Sequence, residues 1–189
     1  MLDLNGRKIR SALLYTALAV LANTAQAETP DIAALRSGDM AKLAVHAEPM
    51  AASDVAFETF DGKEITLAAF EGKITLVNFW ATWCAPCREE MPSLSALQSE
   101  LGGEDFEVVT IATGRNAPAA IERFLEEIGA ANLPKHTDRK QQLSRAMGVL
   151  GLPITVILDR EGNEIARLQG DADWNSDSAK AIMKALIAG

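Results

Sequence analysis

Cysteine is scarce in this sequence, two in 189 residues, and histidine is equally so. There is no second Cys pair, and His46 and His136 lie far apart in the chain, so the ligand set of a structural zinc site is missing. Cys84 and Cys87 would enclose only two residues, which removes little entropy from an unfolded chain and makes a poor structural staple. Basic clusters are lacking too. Lys and Arg number 18 against 26 Asp and Glu, for a formal net charge of −8, so phosphate neutralisation has no footprint and nucleic acid is excluded as a partner. No apolar run reaches the ~20 residues of a comfortable membrane span. Internal repeats and low-complexity tracts are absent. What is present, 48% hydrophobic residues, suffices for one core of ordinary size.

The first residues follow the plan of an export signal. Arg7-Lys8-Ile9-Arg10 is a positive start, Ser11 to Ala22 an apolar stretch, and Ala25-Gln26-Ala27 a small-x-small cleavage site. Residues 1–27 are therefore expected to be a signal peptide or, uncleaved, an anchor at the inner membrane oriented by its positive charges. No cysteine follows the apolar stretch, which points away from a lipid-modified N-terminus. This leader carries three bases against Asp3, so the remainder is more acidic than the whole. The expected location is the periplasm, free or tethered. Residues 28–53 read as a linker with short helical turns, and His46 within it as a solvated polar residue.

The rest, 54–188, reads as one domain. Val55–Phe60 and Lys63–Leu67 flank Asp61-Gly62, a hairpin signal. Lys73–Trp80 is an apolar run of buried-strand length, and Arg88–Leu101 spaces Met91, Leu94, Leu97 and Leu101 along one helix face. Phe106–Ala112 is a second buried strand, Pro118–Ile128 an amphipathic helix, and Leu133–Thr137 a short strand. Arg139–Met147 reads as helix, Ile154–Leu158 and Glu164–Leu168 as strands about a turn, and Asp177–Ile187 as a final helix. A hairpin, a βαβ unit, another helix and a ββα ending make an α/β fold with a mixed central sheet flanked by helices.

The chemistry lies where the strand ending at Trp80 runs into Ala81-Thr82-Trp83-Cys84-Ala85-Pro86-Cys87. A helix start, with its unpaired N–H groups and positive dipole end, favours an anion. A cysteine placed there is held as thiolate, which is the nucleophilic form. Cys87, three residues on, shares the helix face and lies within disulfide reach. Cys84 is thus expected to be the exposed attacking thiol and Cys87 the buried resolving thiol. Pro86 sits where a missing N–H is harmless and stiffens the loop.

Phe79–Pro92 (FWATWCAPCREEMP) resembles the signature of the TlpA/ResA-like thiol–disulfide oxidoreductases of the thioredoxin superfamily. The likeness extends to LVNFWATWC, to GLPITVILDREG and, in the manner of TlpA proteins, to Asp173-Trp174. It implies a thioredoxin fold with an added N-terminal β-hairpin. It also implies that Pro153 is a cis-proline facing the disulfide, whose neighbouring backbone pairs with a partner's extended segment. By the same likeness Glu90 is an active-site acid able to take the buried thiol's proton. Its plainer alternative, shared with Glu89, is a favourable first-turn acid. Trp83 is expected to cover the disulfide and shape the partner surface, Trp80 to be core, and Trp174 to pack under the last helix. Thr155 is either a groove residue or an ordinary β-branched strand residue, and His136 a surface or strand-edge residue.

The resemblance implies a disulfide reductase for envelope proteins in cytochrome c maturation or cytochrome oxidase copper-site assembly. Its clients would be apocytochrome c or copper-site assembly proteins, and its electrons would come from a membrane donor of the DsbD/CcdA type. No cofactor and no metal are called for. An envelope oxidant is the reverse reading, since direction follows reduction potential, although Ala85-Pro86 is unlike the Pro-His of DsbA. A copper metallochaperone is the alternative of another class, because thiolates suit Cu(I). Against it, the cysteine spacing differs from that of Sco-like copper proteins and no nearby His completes a site.

Overall fold

A computed structural model describes residues 31–189; the leader at 1–27 lies outside them. The strands are β1 (Ala44–Ala51), β2 (Phe57–Glu58), β3 (Glu64–Ile65), β4 (Ile74–Trp80), β5 (Phe106–Thr113), β6 (His136–Asp138), β7 (Ile154–Leu158) and β8 (Asn163–Gln169). The helices are α1 (Ala85–Leu101), α2 (Pro118–Glu127), α3 (Gln142–Ala146) and α4 (Asp177–Ala188). All eight strands form one sheet in the order β1-β8-β7-β4-β5-β6-β2-β3.

The sheet is mixed. β4 runs parallel to β5, from Ile74 opposite Phe106 to Trp80 opposite Ala112, and antiparallel to β7. Every residue of β4 is buried, as its unbroken apolar run requires of a strand covered on both faces. Leu76 and Trp80 point into a core shared with Met91, Leu94 and Leu97 of α1, Phe124 of α2 and Ile182 of α4. Val77 and Phe79 point the other way, toward Leu143 of α3, Met147 and Phe57. The period-2 alternation of a strand therefore divides the two cores. This is the expected thioredoxin-like architecture.

The added hairpin is short. β2 and β3 contribute two residues each about Gly62, whose φ of +82° a glycine adopts without strain. The pair hangs on the far edge of the sheet by Glu58 opposite Thr137. His136, on β6, is half-buried against the ring edges of Phe57 and Phe70, and burial holds its pKa below the ordinary value.

Three expectations need correction. The stretch 28–53 does contain two single 3₁₀ turns, Ile32–Leu35 and Gly38–Lys42, but it is no free linker. Ile32, Met40 and Leu43 are buried in the main core, and Ala44–Ala51 is an edge strand of the central sheet. An edge strand with one open side shows little apolar alternation, and it tolerates Pro49 and a bulge between Val45 and Met50. His46 is accordingly not a solvated residue. Its Nε2 lies 2.8 Å from buried Glu164, which Arg167 also grips through two nitrogens at 2.6 and 2.7 Å. The helix read over 139–147 is trimmed to α3, because Gln141 sits at φ +56°. Asp138 then caps it, accepting from the backbone N–H groups of Gln142 and Ser144 at 2.9 and 2.8 Å.

Candidate redox site

α1 begins where β4 ends. Cys84 is its N-cap residue, Ala85 and Pro86 its first two helical positions, and Cys87 follows. The Cys87 N–H donates to Cys84 Sγ at 3.3 Å, so one of the helix's unpaired donors is aimed at that sulfur. Pro86 is half-buried at a position whose N–H would have no intrahelical partner in any case. The two sulfurs are joined at 2.01 Å, with the Cα atoms 5.3 Å apart. Cys87 is fully buried, while Cys84 keeps 6% of its surface. Cys84, expected to be exposed, is therefore buried as well, though less completely than Cys87. Its own backbone is folded under the loop, N–H to Ala81 O at 3.1 Å, and only an edge of the disulfide reaches solvent. Trp83, by contrast, is 67% exposed. Trp80 is buried and packs its ring 5.0 Å from that of Phe124.

Pro153, just before β7, is buried and its bond to Leu152 is cis. Its carbonyl accepts from Gly170 N–H at 2.9 Å, whereas Leu152 has no backbone hydrogen-bond partner among the described residues. Gly151 and Leu152 line an open groove of about 370 Å³ with Trp83, Arg145, Val149 and Leu150. Backbone polar groups beside an apolar groove suit an extended peptide.

Glu90 lies one helical turn beyond Cys87 and is 2% exposed. Its Oε1 accepts from Asn78 Nδ2 at 2.8 Å. Burial pushes its pKa up from 4.5 to about 7; Asn78, the Trp174 indole and the Ala172 backbone pull it down, and Asp171 pushes it further up. The indole contact is loose, since neither Trp174 Nε1 nor Glu90 Oε2 is within hydrogen-bond range of a partner. A carboxyl group poised near neutrality, rather than a first-turn acid neutralising a helix end, is what the surroundings create. Glu89, by contrast, is exposed.

Two residues that support the site, Asn78 and Asn116, are not conspicuous in sequence. Asn78 is the one amide in the β4 run, and it stands directly opposite Thr155 of β7. Its Nδ2 donates to Thr155 Oγ1 at 2.9 Å as well as to Glu90, so Thr155 belongs to a buried polar cluster and not to the groove. The only signal for Asn78 is a polar residue inside an otherwise apolar strand, which has to find a partner when buried. Asn116, in the loop after β5, is buried, and its Oδ1 accepts from both the backbone N–H and the hydroxyl of Thr82 at 2.9 Å. It thereby pins the chain two residues before Cys84. Asn116→Ala is expected to leave the fold intact, cost about 1–3 kcal/mol through the unpaired Thr82 groups, and loosen the Trp83 loop. Faster amide hydrogen exchange at Thr82–Cys84 would register this; unaltered exchange would place the loop's order elsewhere. Among the described residues no group of three or more His, Cys, Asp or Glu side chains is arranged to hold a metal ion.

Residues 47–186 match the family model described as Redoxin. The chain is 30% identical over 119 residues to the thiol-disulfide oxidoreductase ResA of Bacillus subtilis, covering 63% of this chain and 65% of that one. It is 35% identical over 100 residues to the thiol:disulfide interchange protein HelX of Rhodobacter capsulatus, covering 53% and 54% respectively. Both alignments span less than two thirds of the relative's own length. A crystal structure of a thiol:disulfide interchange protein of the thioredoxin family from Chlorobium tepidum superposes with a TM-score of 0.59 at 28% identity, over 75% of this chain and 99% of that one. The family match runs from β1 through α4 and takes in the paired cysteines at the head of α1. This chain therefore belongs to the redoxin family, in the ResA/TlpA-like part of the thioredoxin superfamily.

Proposed function

We propose that the protein is an extracytoplasmic thiol–disulfide oxidoreductase that reduces disulfides in specific envelope proteins. The observation that carries this reading is the Cys84–Cys87 disulfide at the α1 N-terminus, with the Cys87 N–H directed at Cys84 Sγ. In the reduced protein, Cys84 thiolate attacks one sulfur of a client disulfide. A Cys84–client mixed disulfide forms, and the other client sulfur leaves as a thiolate that takes a proton from water. Cys87 then gives its proton to the Glu90 carboxylate and attacks Cys84 Sγ. The second client thiolate is expelled and the internal disulfide closes, so two electrons pass to the client. Glu90, with its pKa near 7, has both the proton-accepting form and a route to return the proton at neutral pH. Trp83, Pro86 and Pro153 would shape the surface on which the client lies.

The regenerating electrons would come from a membrane donor of the DsbD/CcdA type, and the leader would place the domain in the periplasm. Within that setting the reading extends to apocytochrome c or to the cysteines of oxidase copper-site assembly proteins as clients. This last step rests on resemblance and on the need of both client classes for reduced cysteine pairs.

Cys87→Ser is expected to halt the reaction after the first attack and accumulate covalent complexes through Cys84, visible on non-reducing gels and cleaved by dithiothreitol. Cys84→Ser should accumulate none. The couple's reduction potential, measured in a glutathione or dithiothreitol buffer, is expected near that of thioredoxin, about −270 mV, and well below that of DsbA, about −120 mV. A value at the oxidising end would reverse the direction of flow.

A further inference from the structure

The surface around the redox loop has a charge opposite to that of the protein. Arg88 and Arg123 line a depression beside Thr82, together with Phe124 and Glu127. Arg115 and Arg139 line a second around Asn116 and Pro118. Arg145 lies in the Trp83–Leu152 groove. The depressions adjoin through consecutive residues, Thr82 to Trp83 on one side and Thr113 to Gly114 on the other. All five arginines are exposed.

Few carboxylates answer them. Glu127 lies 4.0 Å from Arg88 and Glu58 3.7 Å from Arg139, both long, exposed pairs of little energetic weight. Arg115 and Arg123 have no carboxylate partner within that range among the described residues. This gathering of bases occurs on a chain with a net charge of −8. The acids gather on the opposite flank of α1, where Asp39, Glu89, Asp171 and Asp173 line a depression reaching Glu90. Arg88 is further held in place, its guanidinium 4.5 Å above the Phe124 ring. Between the flanks two apolar side chains stand in water without cover, Trp83 at 67% and Leu150 at 95% exposure.

We infer that this face docks an acidic, extended client segment: its disulfide lies over Cys84, an apolar side chain enters the groove between Trp83 and Leu150, and flanking Asp or Glu residues seat against the arginines. Arginine forks pair with carboxylates through two parallel hydrogen bonds, which gives orientation as well as attraction. Leu152, with its backbone groups free, would bond the segment's main chain. The acidic flank would repel the wrong end and set the direction in which the segment lies. The inference rests on the oxidoreductase reading above and names its class of substrate.

Two disulfide-bearing peptides of identical length separate these possibilities, one with Asp and Glu flanking the cysteines and one with Lys in their place. The rate at which the reduced protein consumes each is measured in low salt and again in 0.5 M NaCl. Electrostatic steering of this kind is expected to favour the acidic peptide by about tenfold or more at low salt and to fade at high salt. Arg115→Glu with Arg123→Glu should collapse or invert the ratio of the two rates, and Arg123→Gln alone should lower it, with thermal unfolding confirming that each variant is folded. Equal rates, a preference for the Lys peptide, or a ratio that survives charge reversal would overturn the docking face. Reduction of neutral hydroxyethyl disulfide by the unsubstituted protein tests the underlying reading separately. Turnover of that disulfide without peptide selectivity sinks the docking face alone, and no turnover sinks both.

Discussion

Glu90→Gln is expected to make the oxidised protein more stable at pH 8 by about 3 kcal/mol while changing its stability little at pH 4. Burial raises the folded-state pKa of Glu90 from 4.5 to about 7. Below pH 4.5 the group is neutral both folded and unfolded, and it costs the fold nothing. As pH rises past 4.5 the unfolded chain releases the proton and the folded chain keeps it, so stability falls until pH passes 7. A gap of about 2.5 pK units at ~1.4 kcal/mol each sets the size of the loss. Gln cannot ionise, and its carbonyl can still accept from Asn78, so the variant escapes that slope. Urea unfolding at several pH values between 4 and 8 reads the difference directly; a difference independent of pH would mean that Glu90 titrates like an exposed carboxylate. The same variant removes the group proposed above to accept the Cys87 proton. The step that expels the client should slow on the order of 10²-fold, and its inflection near neutral pH should disappear.

At neutral pH the buried carboxylate works against the stability of the fold. The Asn78–Thr155 pair makes the charge tolerable without abolishing its elevated pKa. Asn78 comes from the strand leading into the disulfide loop and Thr155 from the strand after the cis-proline, so one amide ties both halves of the site to Glu90.

How much of this could be read from the chain follows from how local each feature is. Cys84, Cys87 and Glu90 lie along one helix start, where spacing along the sequence is also spacing in space, and each is about one turn from the next. β4 and β5 were legible because strands buried on both faces leave unbroken apolar runs. Asn78 was not, because its meaning comes only from the register that sets it against Thr155, 77 residues away. Asn116 reaches Thr82 from a loop 34 residues on, with no periodicity to mark it. β1 escaped notice because an edge strand needs apolar residues on neither its open side nor its outer face. The modest opening at Cys84 is likewise a property of the folded loop and not of the motif.

Trp174→Ala is expected to lower stability by about 3–5 kcal/mol, in the usual range for removing a buried indole. Trp174 is fully buried, and its backbone N–H donates to Ser93 Oγ at 3.0 Å, while that hydroxyl donates to the Glu90 carbonyl at 2.7 Å. The indole is also among the groups that act on the Glu90 carboxylate, and losing its bulk admits water to that group. Two consequences follow with opposite signs in two variants. In Trp174→Ala, hydration should bring the Glu90 pKa down from about 7 toward 4.5, so the pH dependence of stability flattens even as the protein weakens. In Trp174→Phe the bulk is largely kept but the indole N–H, which lowers the pKa, is gone. Glu90 should then titrate somewhat higher than in the unsubstituted protein, by an amount the loose contact keeps small, and the loss of stability should extend to slightly higher pH. Unfolding curves for both variants across pH 4–9, followed by far-UV circular dichroism so that indole removal does not alter the probe, distinguish these directions. A Glu90 pKa indifferent to both substitutions would put the indole outside its electrostatic environment and leave Trp174 as packing alone.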